Sequence, residues 1–130
     1  MTTVLLDANI LIALTVREHD HHERSAAWLS SVPSYAVCPI VEGALVRYLL
    51  RLGESTGTIS TVLAGIAADP RHHFWEDNLS YSQLDLGRLR GHRQATDAYL
   101  VALARHRGAR LATLDEGLAA MWQPDAVLIP

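Results

Sequence analysis

Four carboxylates in this chain occupy positions that solvation does not explain. Asp7 is wedged in VLLDANIL, Glu42 stands between PIV and GALV, Asp97 heads the apolar run AYLVALA, and Asp115 closes LATLD. The remaining acids, Asp20, Glu23, Glu54, Asp69, Asp77 and Asp125 among them, fall in polar or turn-like segments and read as solvated surface. A carboxylate at the head of an apolar stripe is costly unless something neutralises it. Four of them together would raise one another's pKa and take up protons. A hard divalent cation resolves that conflict, because it takes oxygen ligands and fills its other positions with water or phosphate. With a single cysteine, Cys38, and no histidine pair beside the acids, the donor set favours Mg2+ or Mn2+ over zinc. A plainer role competes for three of the four. Asp is a favoured helix N-cap, and Asp7, Asp97 and Asp115 all stand at helix starts. Thr96 offers itself as the cap of the second of these helices, which leaves Asp97 as a first-turn acid favoured by the helix dipole. Glu42 lies inside its helix and does not suit capping.

The elements that must position these groups alternate along the chain. TTVLL is a β-type run that leads directly into ANILIALTV, which has helical spacing. HHERSAAWLSS is a second helix, YAVC a short strand, and PIVEGALVRYLLRLG a helix that opens with Pro39 and stops at Gly53. STGTISTVLAGIAAD is a weaker helix, HHFWED a strand, and SQLDLGRL a short helix or turn. ATDAYLVALARHRG is the clearest helix, with Gly108 as its stop, and RLATL, DEGLAAM and AVLI follow as strand, helix and strand. Strand–helix alternation over 130 residues predicts one domain spanning 1–130. Its fold is an α/β/α three-layer sandwich around a mainly parallel sheet of about five strands. In such sheets the strand ends and helix starts share one edge, where ligands bind. The four carboxylates are expected to converge there.

Composition bounds the rest. Hydrophobic residues make up 49% of the chain, which is a globular proportion. No apolar run reaches the roughly 18 residues needed to span a bilayer. The N-terminal stretch carries Asp7 and lacks a basic lead, against a signal peptide, so a cytoplasmic location is the default expectation. The net charge of -3 gives no global attraction to nucleic acid, and much of it is the acidic quartet itself. All eleven basic residues are arginine. Arg88, Arg90, His92 and Arg93 crowd the loop just before Asp97 and are candidates to grip phosphates, set against an ordinary solvated loop. His19, Asp20, His21 and His22 read as a solvated turn rather than a zinc site. Trp28, Trp75 and Trp122 read as core anchors, and Cys38 as a small core residue in an apolar strand.

LLDANIL, PIVEGALVRYL, ATDAYLVALA and LATLDEGLA, in this order and spacing, resemble PIN-domain nucleases, and more narrowly VapC-type toxins of bacterial toxin–antitoxin pairs. HDHHERSAAWL adds to the likeness, which covers essentially the whole chain. The resemblance implies that Asp7, Glu42, Asp97 and Asp115 form a quartet that binds Mg2+ or Mn2+, with Asp7 and Asp97 the principal ligands. It also implies that Asn9 and Thr113 orient these acids. Ala8 stands where many relatives have threonine. Glu116 adjoins Asp115 and is held in reserve for its role. The implied activity is metal-dependent hydrolysis of RNA phosphodiester bonds. The implied partners are an RNA substrate, a VapB-type antitoxin and a second copy of the chain. Val46, Leu49 and Leu50 suit such a contact or an ordinary core. Two other readings stand beside this one: a non-catalytic module that uses the fold to hold a protein, and a nuclease acting on DNA, for whose helical arch 130 residues leave little room.

Overall fold

The computed structural model describes residues 3–130. Thr2, the expected start of the first strand, lies outside them. Five strands, β1 (Thr3–Leu6), β2 (Ser34–Val37), β3 (His72–Phe74), β4 (Arg110–Thr113) and β5 (Ala126–Leu128), form one parallel sheet in the order β3-β2-β1-β4-β5. Six helices connect them: α1 (Ala8–Thr15), α2 (His22–Leu29), α3 (Pro39–Arg51), α4 (Thr56–Ala68), α5 (Ala95–His106) and α6 (Glu116–Met121). The expected α/β architecture is the observed one. β3 is shorter than HHFWED suggests. Trp75 turns out of it with its N–H donating to Val37 O and its indole buried.

The strand order carries the functional geometry. From β1 the chain steps outward to β2 and then β3, and later returns to the other side of β1 to lay down β4 and β5. Right-handed crossovers in opposite directions place the two sets of helices on opposite faces. The packing agrees: α1 lies against α2 and α3, and α3 against α4, whereas α5 and α6 pack on β1, β4 and β5. The direction reverses between β1 and β4, and there the carboxyl ends of neighbouring strands diverge into a crevice.

The sheet is apolar on both faces, as a sheet covered on both sides requires. Leu5, Leu6, Ala36, Val37, Leu111 and Ala112 are all fully buried. Ile10, Leu45, Leu100 and Leu103 pack over it from the helices. Trp75 and Trp122 are buried and Trp28 is partly buried against the core, as anchors. Among the described residues no helix is long and apolar enough to cross a membrane.

Several side chains depart from the sequence reading because of partners distant in the chain. Cys38 is not in a strand. It follows β2 at the cap position of α3, and burial pushes its thiol up to about 11. Asp69 is not plain solvated surface: Tyr35 donates its hydroxyl to Asp69 at 3.0 Å and Arg71 forms an ion pair with it at 3.3 Å. The same Arg71 donates to the carbonyls of Leu29 and Val32, closing the end of α2 against β3. Asp125 pairs with Arg105. Leu49 is core, whereas Leu50 is half exposed.

Candidate functional site

Asp7, at the end of β1, is the N-cap of α1 and is only 6% exposed. Both of its oxygens are held. The Ala8 N–H donates to Oδ1 at 2.7 Å and the Thr113 hydroxyl donates to Oδ2 at 2.7 Å. Thr113, the last residue of β4, is fully buried and uses its whole hydrogen-bonding capacity here. Its single proton goes to Asp7, while its oxygen accepts from the Asp115 N–H at 3.0 Å and from Asn9 Nδ2 at 3.3 Å. Asn9 Oδ1 in turn accepts from the Leu114 N–H. Asn9 and Thr113 thus stitch the start of α1 to the turn between β4 and α6, across the point where the sheet reverses direction. Thr113 touches Asp7 directly, whereas Asn9 reaches it only through Thr113. Thr113→Val keeps the shape but removes the donor to Asp7. It is expected to lower turnover roughly 10–100-fold, as loss of an orienting partner does. Steady-state RNA cleavage, with the far-UV spectrum as a check on folding, measures it.

Asp115 caps α6, accepting from the Leu118 N–H at 3.1 Å. Capping is therefore real for Asp7 and Asp115, but it leaves each carboxylate oxygen with a free lone pair. Asp97 does not cap. α5 begins at Ala95, the side chain of its cap residue Gln94 makes no capping bond, and Thr96 is exposed. Asp97 therefore lies in the first turn, as a charge that the helix dipole favours.

The three aspartates sense one another. Burial raises Asp7, its hydrogen bonds to Thr113 and Ala8 offset part of the rise, and the charge of Asp115 adds to it. Burial, then the charges of Asp7 and Asp115, push Asp97 up to about 6. Asp115, rather than Glu116, supplies the charge felt by both.

Glu42 feels a different charge. It lies in the first turn of α3, is partly buried, and is raised by burial and then by the charge of Asp77. Asp77 follows β3 at the same edge of the sheet and was missed as a surface acid. Much of its surface is exposed, yet its carboxylate lies against the Cys38 thiol and the Ile40 N–H, and burial raises it in turn. The edge thus carries Asp7, Asp97 and Asp115 at the switch point and, on α3, Glu42, which feels the charge of Asp77. No motif spacing ties residue 42 to residue 77; only the pairing of β2 with β3 does.

Asp97 and Asp115 line a crevice of about 280 Å3 together with Arg93, Gln94, Gly117, Leu118, Met121 and Trp122. A larger cleft, about 670 Å3, opens at the opposite edge of the sheet around Arg105, Arg110 and Asp125, remote from the acids. The four basic residues before α5 do not act alike. Arg88 lies 5.2 Å over the Trp122 ring and donates to the Met121 carbonyl at 3.0 Å, so it braces the crevice wall. Arg90 and His92 are exposed and do not line the crevice. His92–Gln94 is a 3-10 turn that runs directly into α5. Around the histidine run, the Nδ1 of His19 accepts from the His21 N–H, and His22 bonds to the Ala13 carbonyl.

The acids suit a hard cation by donor type. They offer only oxygen ligands, and among the described residues no ion pair reaches Asp7, Asp97 or Asp115. No three His, Cys, Asp or Glu side chains among the described residues close into a tight cage. An open site held by one or two carboxylates, with water completing the shell, is the usual form for Mg2+.

Comparison with known proteins agrees with this architecture. The sequence matches the PIN domain family over residues 4–121. It is 50% identical over 129 residues to Ribonuclease VapC29 of Mycobacterium tuberculosis, covering 98% of this chain and 97% of that protein. It is 36% identical over 126 residues to Ribonuclease VapC38 of the same species, covering 92% of this chain and 89% of that one. Among solved structures, Mycobacterium tuberculosis VapC20, a sarcin-ricin loop cleaving toxin, superposes with a TM-score of 0.68 at 16% identity, covering 90% of this chain and 93% of that one. VapBC2 from Rickettsia felis, bound to a fragment of its promoter DNA, gives 0.66 at 17%, covering 98% and 97%. At those identities the structural likeness speaks for the fold. The near full-length identity to ribonucleases carries further: this chain belongs to the PIN-domain family and, within it, to the VapC-type ribonuclease toxins.

Proposed function

We propose that Asp7, Asp97 and Asp115 form the reaction centre of this ribonuclease, with Glu42 beside them, and that they work with Mg2+ or Mn2+. One observation carries the reading. Residues 7, 97 and 115 come together at the switch point of the sheet, and burial, then the charges of Asp7 and Asp115, lift Asp97 to about 6. Burial and the neighbouring charges disfavour an ionised Asp97, so that placement costs the fold stability. A divalent cation held by Asp7 and Asp97 would supply Lewis acidity toward a phosphoryl oxygen and toward water.

The chain's own groups do the positioning. The Ala8 N–H and the Thr113 hydroxyl fix the plane of the Asp7 carboxylate. The Leu118 N–H aims Asp115. Glu42 and Asp77 hold proton acceptors further along the edge, placed to order water. The substrate is RNA, and the partner that restrains the enzyme is a VapB-type antitoxin, as the toxin–antitoxin assemblies from Rickettsia felis and Klebsiella pneumoniae suggest by analogy. A second copy of the chain completes the assembly, and residues 1–130 act as one domain. The identity to ribonucleases places this reading above a DNA nuclease or a purely binding module.

Asp7→Asn tests the centre. Asn keeps the cap of α1 and the shape but removes the charge. The variant is expected to cleave RNA at least ~100-fold more slowly in Mn2+ while keeping a native spectrum. Cleavage at the wild-type rate would refute the assignment.

A further inference from the structure

We infer that Arg93 is the side chain that grips the scissile phosphate, and that the other basic residues of its loop do not share the task. This rests on the reading of Asp7, Asp97 and Asp115 as the reaction centre. Arg93 lines the same crevice as Asp97 and Asp115. Its place there follows from local structure. The 3-10 turn His92–Gln94 continues into α5 without a break, so Arg93 stands four residues, about one helical turn, before Asp97 and on its face. The loop is braced in that path by the Gln94 side chain, which accepts from the Arg90 N–H at 2.7 Å.

Among the described residues the Arg93 side chain makes no hydrogen bond and no ion pair, although two carboxylates line the same crevice. Its donors remain free. Arg88 is in the opposite condition, with its guanidinium spent on the face of Trp122 and the Met121 carbonyl. Arg90 and His92 are exposed and do not line the crevice. A guanidinium presents a planar fork that matches two phosphate oxygens. In hydrolysis the oxygen of water bonds to phosphorus while the ribose oxygen departs and takes up the proton that water gives up. Negative charge on the non-bridging oxygens must be met as this happens. Arg93 is the cation of this chain placed to meet it, and it also offsets the repulsion between the incoming phosphate and the aspartates.

The experiment compares wild type with Arg93→Ala, Arg93→Lys, Arg110→Ala and Asp97→Asn in cleavage of one fluorogenic RNA with Mn2+. Arg110 lies at the opposite edge and controls for the loss of one positive charge. Arg93→Ala is expected to lower kcat/KM by ~100–1000-fold, with most of the loss in kcat. Arg93→Lys should recover part of it, because it restores charge without the fork. Arg110→Ala should stay within about threefold of wild type, as a surface charge outside the site does. In the Asp97→Asn background, anisotropy of the uncleaved RNA against salt should show a slope reduced by about one when Arg93 is removed. Arg93→Ala cleaving within threefold of wild type, or Arg110→Ala losing as much as Arg93→Ala, overturns the inference. Asp97→Asn cleaving normally would instead overturn the reaction centre itself, whatever Arg93 does.

Discussion

Asp97→Asn is expected to silence RNA cleavage while making the metal-free protein harder to unfold. The activity loss, at least ~100–1000-fold, follows from removing a carboxylate at the point where the reacting phosphate is met. The stability gain follows from proton linkage. In the folded chain Asp97 is raised from 3.8 to about 6, so between those values the native state holds a proton that the unfolded state has released. Stability from this group is therefore greatest at low pH and is lost as pH rises from about 4 through about 6. At pH 7.5 the ionised form is a burden. Taken in full such a shift corresponds to ~3 kcal/mol, and partial exposure of the side chain reduces it to roughly 1–2 kcal/mol. Asparagine removes the burden, which raises Tm by roughly 3–8 °C in a domain of this size. Urea or thermal unfolding of both proteins at pH 5 and pH 7.5 checks it. The gain should shrink at pH 5, where the wild-type group is largely protonated. Equal stabilities at both values would show that the aspartates do not repel one another as the structure indicates.

The second large effect is that of the cation. Mg2+ or Mn2+ bound to the native state alone stabilises it by mass action, by ~2.7 kcal/mol at one hundred times Kd. Chelation should abolish cleavage and reverse the shift. The response also has a pH signature. A proton on Asp97 competes with the cation, so the stabilisation by a fixed concentration should fall as pH drops from 7.5 through about 6. In Asp97→Asn the shift should be small and nearly independent of pH over that range. Thermal melts across a Mn2+ series at three pH values measure this. A flat wild-type response at all of them would favour a site that does not use metal.

Most of the fold was legible because each element carries a local signal. Alternating strand runs and helical spacings gave the parallel sandwich, and Pro39 and Gly108 marked a helix start and stop, Gly108 at a φ of +67°. Asp7, Asp97 and Asp115 stood out because each lies against apolar sequence at a helix start. What escaped the sequence depends on contacts between distant segments. Asp77 looks solvated beside Glu76 and Asn78, and only the pairing of β2 with β3 brings it to Cys38 and Glu42. For the same reason the effect of Asp77 on Glu42 is not legible from residue spacing. Asp69 escaped because its partners, Tyr35 and Arg71, belong to β2 and the turn before β3. Arg88 and Arg93 look equivalent in a string of arginines. Trp122, thirty-odd residues on, separates them by taking one as a stacking partner.

The central place of β1 has a consequence for how the enzyme comes into being. β1 pairs with β2 on one side and with β4 on the other, and Asp7 is oriented by a hydroxyl 106 residues away. During synthesis β1 therefore waits with one edge bare until β4, more than a hundred residues later, has been made. Until Thr113 and Asp115 arrive, the acid made first has neither its orienting partner nor its companion.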